Sequence, residues 1–323
     1  MPSASQDIPS RPLLAGIAIN WHGDEDLLEL VAGWPLDSRF ELVVIDNSGS
    51  LGDKTSDIRI VKPNRNLGFA GAVNVALRLV DAPTILVLNS DVRPAQGALD
   101  SLLEGLKLHP QAAGLAPRLL SIDGTTQHRW QLRPIPSSFT LLLQSLMIPA
   151  GQGPKAEPAA GTVVEQPAAA ALALRRSVVE EIGGFDEDFY PAWFEDVDLA
   201  QRLLDAGRQV VYWPAATFEH RLGATVPRLG YGRFLWIYYR NLGRYLRKHH
   251  SNALAILARV LTAAAATARI PLLALRKPSR ATTRGDGLKG LTALLLGALS
   301  NWRLPHAYSR ELLDDPSTQG AGS

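Results

Sequence analysis

The chain of 323 residues contains no cysteine. That excludes disulfide scaffolds, thiolate zinc sites and cysteine nucleophiles, and is compatible with a reducing compartment. It also lacks a surplus of charge of either sign: 33 Lys and Arg stand against 31 Asp and Glu. Bulk nucleic-acid binding needs an excess of cations to displace counterions, so no nucleic-acid partner is expected. No basic start followed by an apolar run opens the chain, so Met1 to Pro12 is not a secretory signal and is expected to be disordered. No uninterrupted apolar run reaches about 18 residues, and no ordinary spanning helix is expected. A GxGxxG after the first strand is missing too, which weakens any dinucleotide-dependent oxidoreductase.

What is present is ordinary globular material, 46% apolar and 20% charged, enough for one or two domains with a sizeable core. Short β-branched runs at Leu14–Asn20, Glu41–Ile45, Ile58–Val61 and Thr84–Leu88 read as buried strands. Asp24–Ala32, Ala70–Val80 and Ala95–Leu108 read as the helices between them. Strand–helix alternation implies a doubly wound, Rossmann-like open sheet of the α/β class, mostly parallel and flanked by helices. In such sheets ligands bind beyond the carboxyl ends of the strands. Further on, residues 149–168 are rich in Pro, Gly and Ala and read as a mobile loop or lid. Arg175–Ile182 and Asp196–Ala206 read as helices, Gln209–Trp213 as a strand, and Pro214–Glu219 as a turn.

Polar groups fall where that sheet should bind its ligand. Asp46 ends a strand, where it can accept from a nucleobase or ribose hydroxyl, or simply close an Asx-turn. Asn64–Gly71 opens a helix with two glycines, letting backbone N–H groups approach a phosphate, or forming a plain capped turn. Asn89-Ser90-Asp91 ends the strongest strand, where an oxygen ligand can hold Mg²⁺ or Mn²⁺ against a diphosphate, or again only turn the chain. Glu195, Asp196 and Asp198 place three carboxylates at one helix start. One cap needs only one, and crowded acids beside aromatics suit a general base. His220 can pair with Asp91 on a metal, or be an ordinary buried histidine.

As a set, VVIDNS (43–48), NRNLGFAGAVNVAL (64–77), LNSD (88–91), GGFDEDFYPAWFEDVDLAQRL (183–203) and the histidine of FEHR (218–221) resemble inverting family 2 glycosyltransferases of the GT-A fold, in their rhamnosyltransferase-like branch. The resemblance runs from about Ile17 to His250. It implies a GT-A domain over 13–230; the composition beyond it reads as a helical region over 231–305 and a tail over 306–323. By the same resemblance, Asp46 holds the base or ribose, and Asn66 and Gly71 line the nucleotide pocket with Asn89 beside them. Asp91 is the metal-binding acid, and His220 completes the metal or diphosphate site. Asp196 is the catalytic base, Glu195 and Asp198 position acceptor or base, and the Trp193 region helps bind the acceptor. The implied partners are a nucleoside-diphosphate sugar, with dTDP-rhamnose the leading donor, and a glycan or lipid-linked acceptor in cell-surface polysaccharide synthesis. Two departures stand out. Asn89 replaces the first acid of the DxD-type motif, leaving fewer charged ligands and favouring, as an alternative, an inactive binding or assembly protein. The small-residue patch PAAAALALRR (167–176) leaves the donor sugar open.

From Tyr231 the chain changes character. Phe234, Trp236, Tyr238, Tyr239 and Tyr245 lie among arginines and lysines, and Ala/Leu-rich segments follow at 253–275 and 288–299. These suit either a peripheral membrane interface or a helical cap packed on the catalytic domain. The expected location is the cytoplasm, or the inner face of the cell membrane if these helices dock there.

Overall fold

A computed structural model describes residues 11–51, 58–221, 228–275, 278–281 and 283–303. Of the disorder expected over 1–12, residues 1–10 lie outside the described residues, as does the tail expected over 306–323.

The chain opens with β1 (Leu14–Asn20), α1 (Asp24–Ala32), β2 (Phe40–Asp46), β3 (Arg59–Val61), α2 (Gly68–Leu77) and β4 (Thr84–Asn89). All residues of β1 are buried, as a strand sandwiched between helical layers requires. β5 (Val92–Pro94), α3 (Ala98–Leu108), β6 (Gly114–Leu120), α4 (His128–Gln131), β7 (Leu132–Arg133) and α5 (Ser138–Ser145) follow. Then come β8 (Val163–Val164), β9 (Gln166–Pro167), β10 (Ala171–Arg175), α6 (Arg176–Glu181), α7 (Glu195–Asp205) and β11 (Val210–His220). Three long helices close the chain: α8 (Tyr231–His249), α9 (Asn252–Arg269) and α10 (Arg284–Leu299).

The main sheet runs β3-β2-β1-β4-β10-β6-β11-β5, with β8 on β11. Its first four strands are mutually parallel, with Ile17 opposite both Val43 and Val87. β6 and β11 are parallel to each other, and β10 runs antiparallel between β4 and β6. One apolar layer packs α2 and α6 on one face through Ile17, Val73, Val87 and Val179. The opposite layer packs α1 and α3 through Leu27, Leu30, Leu86 and Leu102. Each such fully buried side chain contributes roughly 1.5–3 kcal/mol relative to exposure.

Several expectations are corrected here. Residues 149–168 are not a free lid. The Gly161 N–H bonds the Tyr212 carbonyl at 2.9 Å, Glu157 bonds Arg118 and the Tyr212 hydroxyl, and Val163–Val164 pairs with β11. Pro214–Glu219 is not a turn, because β11 runs through it to His220. A register shift against β6 between Trp213 and Thr217 accommodates the proline. β6 and β10 carry no mark in the sequence as strands, since β10 is mostly alanine and leucine and takes its conformation from its two neighbours.

The aromatics of α8 are core: Phe234, Trp236, Tyr239 and Tyr245 are buried against α7, α9, α10 and the segment before α7. No ordinary spanning helix was expected, yet Asn252–Ala274 is long and apolar enough to cross a membrane by length and composition alone, and 28% of its most apolar 18-residue window is buried.

Candidate active site

The carboxyl ends of β1, β2 and β4 converge on one cavity of about 240 Å³, as an open parallel sheet dictates. Trp21 follows β1, Asn47 follows β2, Asn89 ends β4, and Ser90 and Asp91 follow it; all of them line the cavity. The Asn47 side chain donates to the Gly68 carbonyl at 3.0 Å and accepts from the Leu67 N–H at 3.1 Å. Asn66 accepts from the Gly68 N–H at 2.8 Å and lines the cavity beside it. Gly68 has φ +71°, and a Cβ there would come within 2.9 Å of the Pro191 carbonyl. No other residue fits this crossing without strain.

Asp46 does not itself line the cavity, which its neighbour Asn47 does. It is wholly buried and accepts from Asn20 (3.0 Å), the Ser48 hydroxyl (2.7 Å) and the Leu51 N–H (2.9 Å). It shapes the loop that presents Asn47. Gly71 is buried in α2 against Leu67 and Glu187 and does not line the cavity.

Asp91 and His220 come together from β4 and β11, with Nε2 of His220 3.5 Å from Oδ1 of Asp91. Gln127 sets the orientation of that imidazole. Its Nε2 donates to the His220 carbonyl at 2.9 Å, so its Oε1 faces Nδ1 at 2.8 Å and Nδ1 carries the hydrogen. Nε2 is then the free nitrogen, aimed at a carboxylate oxygen. Two acceptors facing each other across a buried gap suit a cation between them. Among the described residues no group of three or more His, Asp or Glu side chains is placed to hold a metal. An Asp–His pair leaves the remaining positions to diphosphate oxygens, which is how Mg²⁺ and Mn²⁺ are commonly held.

The acidic cluster divides. Glu195 and Asp196 both line the cavity at the N-terminus of α7, where the helix dipole favours negative charge. Burial, with the Asp196 charge beside it, pushes the Glu195 carboxyl well above the ordinary range. One Glu195 oxygen is buried without a hydrogen-bond partner. Burial also raises Asp196, but the Arg133 guanidinium pulls it back, so Asp196 is the acid that ionises first. Trp193 and Phe194, just before the pair, both adopt positive φ, 68° and 75°. That strain is held in place by Asn241 of α8, which donates to the Ala192 and Trp193 carbonyls at 2.9 and 3.0 Å.

Asp198 is not brought to the cavity. It is wholly buried on the far side of α7 and binds Arg202, Lys248 and His249 at 2.6–2.8 Å.

Sequence reasoning did not single out Asn47, Gln127, Trp130 or Arg228 as lining or orienting groups. Trp130 lines the cavity and lies 5.3 Å from the His220 ring. Arg228 brings a cation to the cavity beside Gly23. Only Asn47 carried a legible signal, in the Asp-Asn-Ser turn ending β2. Trp130 and Arg228 reach the cavity, and Gln127 reaches His220, through long-range contacts.

A mostly parallel mixed sheet with helices on both faces, and a cavity at the carboxyl ends of its parallel strands, make this a GT-A-like fold. Residues 26–183, about half of the chain, match the model of glycosyl transferase family 2. The chain is 33% identical over 165 residues to a pre-mycofactocin glycosyltransferase of Mycobacterium tuberculosis, covering 51% of this chain and 32% of that one. It is 29% identical over 188 residues to an N-acetylglucosaminyl-diphospho-decaprenol L-rhamnosyltransferase of the same organism, covering 51% and 59%. The chain therefore spans less than two thirds of either relative. Among solved structures, GalNAc-T7 with UDP, GalNAc and Mn²⁺ superposes with a TM-score of 0.52 at 13% identity, over 74% of this chain and 48% of the other. That likeness is one of fold.

Proposed function

We propose that this protein transfers a sugar from a nucleoside-diphosphate sugar to an acceptor hydroxyl with inversion at the anomeric carbon. The observation that carries this reading is that Asp196 and Asp91 line one cavity at the carboxyl ends of the parallel strands, with His220 backing Asp91 at 3.5 Å. Asp196 removes the acceptor hydroxyl proton as that oxygen attacks the anomeric carbon. The bond to the diphosphate breaks, and the nucleoside diphosphate leaves with the electron pair. Proton transfer by a placed base of this kind contributes typically about 10²–10⁴-fold. Glu195 holds its proton and lies beside the base. Asn47 and Asn66 face the nucleoside, and Arg228 faces the diphosphate. Asp91 and His220 would hold Mg²⁺ or Mn²⁺. When bound, that ion supplies positive charge to the leaving diphosphate.

The donor we favour is dTDP-rhamnose and the acceptor a glycan or lipid-linked saccharide. Both rest on the likeness to the rhamnosyltransferase relative, 29% identical over 188 residues. A lipid-linked acceptor makes membrane docking useful, and α9 offers Ile256, Leu257 and Val260 exposed along one side. We place that docking at the inner face of the cell membrane.

The test is release of nucleoside diphosphate from a panel of sugar nucleotides with Mg²⁺ or Mn²⁺, with and without acceptor. One donor should be consumed, and should raise the melting temperature. Binding of a donor without any turnover, with every acceptor class, would instead make the protein the inactive binding or assembly protein that Asn89 hints at.

A further inference from the structure

β7 and β9 form a two-stranded antiparallel ribbon apart from the main sheet, and Arg133 and Gln166 are direct cross-strand partners in it. Both reach one oxygen of Asp196. Gln166 Nε2 donates to Oδ2 at 3.3 Å, and Arg133 Nη2 lies 3.8 Å from the same atom. The other oxygen, Oδ1, accepts the Val197 N–H of its own helix at 2.8 Å. Gln166 is buried, and Arg133 is partly buried with its Nε lacking a hydrogen-bond partner. The ribbon is anchored from below, because the Ala168 N–H bonds the Gln131 carbonyl and the Gln131 side chain bonds the Pro117 carbonyl.

We propose that the Arg133–Gln166 rung is the positioning device of the Asp196 base, holding its carboxylate as an oriented anion in a site that would otherwise neutralise it. This rests on the reading of Asp196 as base. A carboxylate removed from water favours its neutral form, and a neutral acid cannot take a proton from an acceptor. The groups facing Asp196 make the rung necessary. Glu195 on the same helix and the Tyr238 phenol from α8 add no positive charge. The backbone of Ala169 lies on the same side and favours the anion only weakly. Arg133 supplies the cation. Gln166 adds a neutral donor to the same oxygen, so the carboxylate is gripped on the Oδ2 side. Two donors fixed on one rung of a ribbon are pre-organised, and little ordering is left to the moment of reaction. A glutamate at 166 would instead set two acids against each other.

The experiment is a carbon-13 NMR titration of side-chain carboxyls in the full chain. The Asp196 resonance is assigned by its disappearance in Asp196→Asn. In Arg133→Met the Asp196 midpoint should rise by about one pH unit. In Gln166→Glu it should rise as well, and in Arg133→Lys it should stay near the parent value. The acid limb of kcat/KM should move upward by the same amount in each variant, with donor KM unchanged. Gln166→Glu and Arg133→Lys decide the matter if Arg133→Met does not fold. Midpoints that stay put in folded variants, while Asp196→Asn abolishes transfer, overturn the rung and keep the base. Full transfer in Asp196→Asn overturns the base reading and the rung with it.

Discussion

Asp196 and Asp198 stand two residues apart on α7 and face opposite sides of it. Asp196 opens on the cavity, while Asp198 is sealed against α8. Two residues turn a helix by about 200°, so one short acidic run serves two ends. One carboxylate is placed for chemistry, and the other ties the C-terminal helices to the domain that does it.

Asp196→Asn keeps the size of the side chain but cannot accept a proton. Turnover should fall at least about 100-fold while donor affinity stays within about threefold of the parent, in steady-state kinetics beside calorimetry. In the parent, activity should fall as pH drops through the raised midpoint of Asp196, because the base must be ionised.

Asp91→Ala should abolish the part of nucleoside-diphosphate binding that Mn²⁺ confers. Titration calorimetry with and without EDTA measures it, and equal affinity in both conditions would remove Asp91 from the metal site. Gln127→Leu frees the His220 ring to turn. Loss of such an orienting partner typically lowers metal affinity about 10–100-fold. The same calorimetry reads that loss without any turnover.

Asp198→Ala strands the partners of a wholly buried carboxylate and should lower stability by about 3 kcal/mol in urea unfolding. Burial alone would raise this carboxyl, but His249, Lys248 and Arg202 outweigh it and hold it below the ordinary range. A lowered folded value means the contribution is complete above the unfolded value, about pH 4. It is lost as pH falls further through the folded one. Parent and variant unfolding curves should therefore converge in acid.

Replacing Ile256, Leu257 and Val260 together with serine removes the exposed apolar side of α9 and leaves its buried side intact. Flotation of the full chain with anionic vesicles should drop severalfold while the far-ultraviolet dichroism is unchanged. Equal flotation would leave the helices as a cap only.

Much of the parallel half of the sheet was legible because each strand there is a short β-branched run ended by a polar turn. Leu14–Asn20 and Asp24–Ala32 match the structure residue for residue. β10 was hidden in an alanine-rich run, since a strand held on both sides needs no strong propensity of its own. The Pro-rich stretch at 149–168 looked mobile because composition does not reveal that Glu157 meets Arg118. In the site, the sequence drew attention to Asp46, Asn66, Asn89, Asp91, Glu195, Asp196 and His220. It did not reveal that Asp46 points inward and Asn47 outward, which strand alternation allows but does not decide.

The sequence alone determined the class of the fold and the inventory of acids at the strand and helix ends, because both are written in local periodicity and turn chemistry. Tertiary structure alone decided which of those acids share a cavity, which imidazole nitrogen faces Asp91, and which cation stands beside Asp196. Those facts depend on residues dozens of positions apart, brought within a few ångströms by packing.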